Sequence, residues 1–358
     1  MTNYLLAGGG TAGHVNPLLA LADRLREAEP DATVLALGTT EGLESRLVPA
    51  RGYELLTIPR LPFPRRPNRA ALRFPSRFRA LVSEIQGMLT EHEIDIVVGF
   101  GGYVSAPAYL AARRSAVPIV IHEANARAGL ANRLGSLFTR YVGVTFPATR
   151  LPHARLVGMP LRREIERLDR HAQRSEAVDF FGLDPSQLTL LVTGGSLGAA
   201  RLNETVHAAA ANILGTGWQI LHITGERSEV PASELSGYHQ LRYCDRMDLA
   251  MAAADFAIAR AGSATVSELT ALGIPAAYVP LSIGNGEQRL NARAVTEAGG
   301  AIMVDNAEFT PEWVTGTLVP LLQNRAAIAD MAARTAAGGV RDGADRLLGL
   351  VQDALAVP

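Results

Sequence analysis

One local pattern occurs twice in this chain. Leu5-Leu6-Ala7-Gly8-Gly9-Gly10-Thr11 near the start and Leu190-Leu191-Val192-Thr193-Gly194-Gly195-Ser196 beyond the middle are each an apolar run, a glycine turn and a helix start. A short apolar run of this kind is a strand buried on both faces, and glycine lets the backbone turn sharply out of it. Further runs at Thr33 to Leu37, Ile94 to Val98, Pro118 to Ile121 and Tyr141 to Val144 alternate with segments of helical spacing. Alternation of that type predicts βαβ units in a doubly wound parallel sheet. Its restart near residue 190 predicts two Rossmann-like α/β domains. The hinge is expected at Val157-Gly158-Met159-Pro160, before a helix over Leu161 to Phe181. A ligand cleft is expected between the domains.

A chain of 358 residues is long enough for two such cores. With 48% hydrophobic and 19% charged residues it is not a disordered chain. The net charge of −1 supplies no global field for nucleic acid. All 34 basic residues are arginine, which reads as codon bias before function. The single Cys244 excludes an intrachain disulfide and fits a reducing compartment. No basic region precedes the first strand, so no signal peptide is expected, and no run of eighteen apolar residues would span a bilayer.

Gly8, Gly10 and Gly13 match the G-x-G-x-x-G dinucleotide fingerprint. That reading also requires an acidic residue at the end of the second strand, where Leu37-Gly38-Thr39-Thr40 offers none before Glu41. The partner loop, Gly194-Gly195-Ser196-Leu197-Gly198, does not match it. Both loops instead offer amide N–H groups at a helix start, which favour phosphate or sugar oxygens. A tight turn with no ligand remains the plainer alternative for either loop alone.

Gly8 to Pro17 (GGGTAGHVNP), Gly99 to Pro107 (GFGGYVSAP) and His122-Glu123-Ala124-Asn125 follow one another in the first half of the chain. Gly194 to Ala199, Arg260 to Glu268 (RAGSATVSE) and Gln288-Arg289-Leu290-Asn291-Ala292 follow in the second. In that order they resemble the first glycine loop, the second glycine loop and the segment after it, then the serine loop, the nucleotide loop and the closing motif, of the MurG family of transferases. Leu197 stands where the family commonly has glutamine, and Gly286-Glu287 where many members have a bulkier polar pair. The resemblance implies an α/β, GT-B architecture: two Rossmann-like domains facing across a cleft. Residues 1–158 would bind the acceptor and the membrane, and residues 161–340 would bind UDP-GlcNAc. A last helix over 342–357 would pack back on the first domain. The activity implied is inverting transfer of GlcNAc from UDP-GlcNAc to the C4 hydroxyl of undecaprenyl-linked muramyl-pentapeptide. No cofactor is implied, and other wall-synthesis and division proteins are candidate partners.

His14 follows the first glycine loop. Imidazole titrates near neutrality, which suits a base that takes the proton of an attacking hydroxyl. It could equally hydrogen-bond a phosphate or cap the helix. Glu268 would accept the ribose hydroxyls, while the amides of Ser263, Ala264 and Thr265 face the phosphates; an ordinary first-turn acid is the alternative. By the family match Gln288 and Asn291, three apart on a helix, would read the sugar; two exposed polar residues on an amphipathic helix are the alternative. By the family match Thr11, Gly13, Asn125, Arg162 and Ser196 join the donor site and Cys244, with Tyr243, meets the uracil. Tyr103, Ser105 and Asn125 would face the acceptor, with His122 and Glu123 bracing the strand end. No Asp-x-Asp pair or histidine spacing suggests a metal.

Arg60, Arg65, Arg66, Arg69, Arg73, Arg77 and Arg79 form a block without an acid before Glu84, interleaved with Leu61, Phe63, Leu72, Phe74, Phe78 and Leu81. Arginine mixed with aromatic residues suits an anionic membrane surface, here the cytoplasmic face. A solvated basic face is the alternative. Two rival functions remain: a UDP-GlcNAc 2-epimerase, and a non-catalytic scaffold.

Overall fold

The computed structural model describes residues 1–64, 69–281 and 286–356, with the side chains of residues 69 and 70 excluded. The chain divides into two compact units, Met1–Arg162 with Arg341–Pro358, and Arg163–Val340.

The strands of the first unit are β1 (Asn3–Gly8), β2 (Thr33–Gly38), β3 (Glu54–Thr57), β4 (Ile96–Gly101), β5 (Ile119–Glu123), β6 (Tyr141–Val144) and β7 (Ala154–Leu156). Those of the second are β8 (Leu188–Thr193), β9 (Trp218–Ile223), β10 (Tyr238–Leu241), β11 (Phe256–Ala259), β12 (Ala276–Tyr278) and β13 (Ala301–Met303). The first sheet runs β3-β2-β1-β4-β5-β6-β7 and the second β10-β9-β8-β11-β12-β13. Every pairing is parallel. Each is a Rossmann order, in which the connections leave the first strand of the unit in opposite directions.

Alternation along β1 builds two cores. Tyr4 and Leu6 join the helix Ala12–Ala28 on one face, while Leu5 and Ala7 join the helices Arg69–Glu91 and Ser105–Arg114 on the other. The last helix, Gly343–Leu355, places Leu347, Leu350, Val351 and Ala354 in the first of these cores. A side chain at Gly343 would collide with the Met159 carbonyl, so this helix enters where only glycine fits. Ion pairs Arg24–Asp345 and Arg155–Asp353 tie its surface down. Residue 357 lies outside the described residues.

The single helix expected over Leu161 to Phe181 is two, Arg163–Glu166 and Arg170–Phe181. Asp169 is the reason. Its Oδ1 accepts the amides of His171 and Ala172, making it the N-cap of a new helix.

Candidate functional site

In the first unit the switch point lies between β1 and β4, and their glycine turns meet there. The first turn leads into the helix Ala12–Ala28, with Thr11 extended at its N-cap and Gly13 in its first turn. His14 is half-buried. Its Nδ1 lies 3.1 Å from the Gly9 carbonyl oxygen and 3.2 Å from the Thr11 hydroxyl. A carbonyl only accepts, so this contact is a hydrogen bond when Nδ1 carries the proton, and in the neutral imidazole Nε2 then keeps its lone pair. Across the switch point, a side chain at position 101 would stand 3.2 Å from Nε2, and one at position 102 would press on the Gly9 carbonyl at 2.6 Å. Glycine at both places makes room for the imidazole and the peptide that holds it.

The amide of Gly10 does not wait for a phosphate. Glu44 is fully buried, and its Oε2 accepts the Gly10 N–H at 2.8 Å. Its Oε1 accepts the Thr39 N–H at 2.9 Å and the Thr39 hydroxyl at 2.8 Å. Burial opposes ionisation, but hydrogen bonds from Gly10, its own amide and Thr39 outweigh it and hold the pKa below the usual carboxylate value. An internal carboxylate therefore takes the place where an anionic ligand was expected at this loop. Glu44 was missed because nothing local marks it; the clue is glycine at 9, 38 and 42, where side chains would collide with it. A cavity of about 80 Å³ beside it is lined by Gly10, Thr39, Glu41, Arg60 and Tyr103, with the Arg60 guanidinium 5.4 Å from the Tyr103 ring centre.

Tyr103 is exposed and open to a ligand. Ser105 is not. It is fully buried, its hydroxyl accepting the Gly101 amide at 3.0 Å and lying within 2.9 Å of the Ala7 and Gly101 carbonyls. It shapes the second glycine loop instead of facing an acceptor. At the end of β5, Glu123 accepts the amides of Asn125 and Gly129 and the Asn132 side-chain amide. The backbone around half-buried Asn125 is set by that carboxylate and by the Thr149 hydroxyl on its carbonyl. His122 donates Nε2–H to the Gly158 carbonyl at 3.0 Å, and burial pushes its pKa down to about 4. Arg162 is half-buried at the end of this unit's first segment.

In the second unit the switch point lies between β8 and β11. The helix Ser263–Ala271 opens there on Gly262, which provides no side-chain cap. The amides of Ser263, Ala264 and Thr265 thus form an N-terminus suited to anionic oxygens. Glu268 is buried on the same helix. The neighbouring turn exposes Ser196 and Leu197. A side chain at Gly198 would collide with the Thr224 carbonyl, so the loops after β8 and β9 touch backbone to backbone. Beneath them Asn203 bonds the Thr224 carbonyl at 2.7 Å and His222 at 3.1 Å; burial pushes the His222 pKa down to about 3. Burial also pushes the Cys244 thiol up to about 11, leaving a neutral group beside exposed Tyr243.

The expected Gln288–Asn291 face divides. Gln288 is half-buried, and its Oε1 accepts the Leu281 amide at 2.9 Å. Asn291 is buried and donates to the Ala261 carbonyl at 3.2 Å. It pins the nucleotide-type loop from behind. Arg260, on the other side of that loop, holds the Val279 carbonyl and Asn306. Among the described residues no group of three or more His, Cys, Asp or Glu side chains could hold a metal ion.

Two Rossmann units with glycine turns at their switch points make the two-domain α/β architecture of the GT-B class. Residues 4–144 match the glycosyltransferase family 28 N-terminal domain and residues 189–347 its C-terminal domain. A relative from Leifsonia xyli, named UDP-N-acetylglucosamine--N-acetylmuramyl-(pentapeptide) pyrophosphoryl-undecaprenol N-acetylglucosamine transferase, is 62% identical over 99% of both chains. The crystal structure of Acinetobacter baumannii MurG is 28% identical, with a TM-score of 0.81 over 99% of this chain and 100% of that one. A UDP-GlcNAc 2-epimerase from Neisseria meningitidis is 14% identical, with a TM-score of 0.68 over 99% of this chain and 100% of that one, a likeness of fold alone. The chain belongs to glycosyltransferase family 28 and, within it, to the MurG family of N-acetylglucosaminyltransferases.

Proposed function

We propose that the chain moves GlcNAc from UDP-GlcNAc to the C4 hydroxyl of lipid-linked muramyl-pentapeptide, with inversion, at the cytoplasmic face of the membrane. The identity of 62% across the whole length to a transferase of that name is the observation that carries it. His14 Nε2 takes the proton of the acceptor hydroxyl as it attacks the anomeric carbon. Departing UDP is stabilised by the uncapped helix N-terminus at Ser263 to Thr265, a preorganised dipole. Ser196 and Arg162 supply further phosphate contacts, Thr11, Gly13, Asn125 and the Gln288 amide contact the donor, and Cys244 lies against the uracil. Tyr103 and Asn125 face the acceptor.

One assay separates this reading from its rivals. With labelled UDP-GlcNAc, a transferase forms product only when a lipid I analogue is present. An epimerase turns over the nucleotide sugar alone, and a scaffold does neither; either result overturns the proposal.

Glu268 is assigned to the ribose. Glu268→Gln is expected to weaken UDP and UDP-GlcNAc alike by roughly 1.5–3 kcal/mol, the range for hydrogen bonds to a charged group. Calorimetry with 2′-deoxy-UDP checks the assignment. The deoxy ligand should cost the variant much less than the parent, and equal losses remove Glu268 from the ribose.

Membrane docking is assigned to the arginine block. On the helix Arg69–Glu91, Leu72 is 83% exposed beside exposed Arg73, Arg77 and Arg79, and Phe63, 63% exposed, packs edge-on against Phe74. Arg65 and Arg66 lie outside the described residues, as does the side chain of Arg69. Among the described residues no helix is long and apolar enough to cross a membrane.

A further inference from the structure

The Gly9–Gly10 peptide is held at both ends. Its N–H, on Gly10, donates to the Glu44 carboxylate at 2.8 Å. Its carbonyl, on Gly9, accepts Nδ1–H of His14 at 3.1 Å. Gly10 has φ of 87°, where glycine leaves the peptide free to rotate unless something fixes it. Nothing in the donor or acceptor reading uses Glu44, yet it is fully buried with three hydrogen bonds, and glycine at 9, 38 and 42 clears its space.

We propose that Glu44 is a positioning residue for transfer: through the Gly9–Gly10 peptide it fixes His14 in the tautomer whose Nε2 is free to take a proton. The arrangement is a carboxylate–peptide–imidazole relay. A negative charge on the peptide N–H polarises the amide, and its carbonyl becomes a stronger acceptor for Nδ1–H. Free imidazole prefers no such arrangement, so without the relay the proton is not held on Nδ1. When Nε2 takes the acceptor's proton, the imidazolium charge is met at Nδ1 by a carbonyl backed by the buried carboxylate. A carboxylate that orients a catalytic histidine directly has the same logic; here one peptide unit stands between them.

The proposal rests on His14 as the base. Glu44→Gln keeps the shape and removes the charge. Its single carbonyl oxygen satisfies either Thr39 or Gly10, and its NH2 then faces a donor. We expect kcat to fall about tenfold or more, the usual scale for the partner that orients a functional histidine. KM for UDP-GlcNAc should change much less than kcat, because most of the groups assigned to the donor, Ser196, Cys244, Ser263 to Thr265, Glu268 and Gln288, lie in the other unit. The double variant with His14→Ala should be no slower than His14→Ala alone. Ring ¹⁵N resonances should show neutral His14 protonated on Nδ1 in the parent and a tautomer mixture in Glu44→Gln. The Gly10 amide proton of the parent should lie far downfield. Parent kcat and an unchanged tautomer in a folded Glu44→Gln overturn the relay. A parent His14 protonated on Nε2, or a Gly10 amide at an ordinary shift, overturns it even if no Glu44 variant folds. Near-parent turnover by His14→Ala sinks the base reading itself, whereas an impaired His14→Ala beside an unimpaired Glu44→Gln sinks the relay alone.

Discussion

His14→Ala is expected to lower turnover by about a hundredfold or more, the scale of general-base catalysis, with UDP-GlcNAc affinity unchanged. The geometry gives the imidazole one free nitrogen, because the Gly9 carbonyl engages Nδ1. Gly101 keeps the space beside Nε2 clear of any side chain. The acceptor hydroxyl must lose its proton as the new bond forms, and alanine leaves only water to take it. Single-turnover measurements with a soluble lipid I analogue, alongside UDP-GlcNAc titration, separate the chemical step from binding. Normal turnover in the variant would leave His14 as a hydrogen-bonding neighbour of the acceptor and send the search for the base elsewhere.

Replacing Arg66, Arg69, Arg73 and Arg77 by glutamine is expected to release the protein from anionic vesicles. The acceptor's long lipid does not leave the bilayer cheaply, since each buried methylene is worth about 0.8 kcal/mol. On the proposed reading the enzyme therefore comes to the membrane. Each arginine near an anionic surface contributes about 1 kcal/mol, so losing four lowers the partition constant by about a thousandfold. Screening within a Debye length of about 8–10 Å makes raised salt mimic the substitution. Activity on a short-chain, water-soluble acceptor should stay nearly intact. Co-sedimentation of parent and variant at low and high salt measures the effect. Equal binding by both would mean that these arginines form an ordinary solvated face.

The doubled β-strand, glycine turn and helix start could be read without coordinates, because strands buried on both faces must be continuous apolar runs. The expected Tyr141 to Val144 strand coincides with β6, β2 and β5 lie within two residues of the runs that predicted them, and β4 within three. The edge strands β3 and β7 were not seen, since Glu54–Thr57 is only partly buried and Ala154–Leu156 fully exposed. An exposed edge imposes no hydrophobic pattern. The break at Asp169 was missed for a different reason: an N-cap is a local hydrogen bond that competes with helical spacing.

Residue type and order placed His14 just after the first glycine turn, and Ser263 to Thr265 and Glu268 on the first turns of a helix, which is where these elements fall. Direction was another matter. Ser105 and Asn291 have the chemistry to read a substrate, yet both are buried, and each donates to a backbone carbonyl beside a glycine loop. Glu44 lies 34 residues from the amide it binds. A sequence determines which polar groups a chain owns and the period at which its apolar residues fall. Only the folded sheet and the helices packed on it decide which of those groups lose their water, and a buried carboxylate must then find donors wherever the fold supplies them.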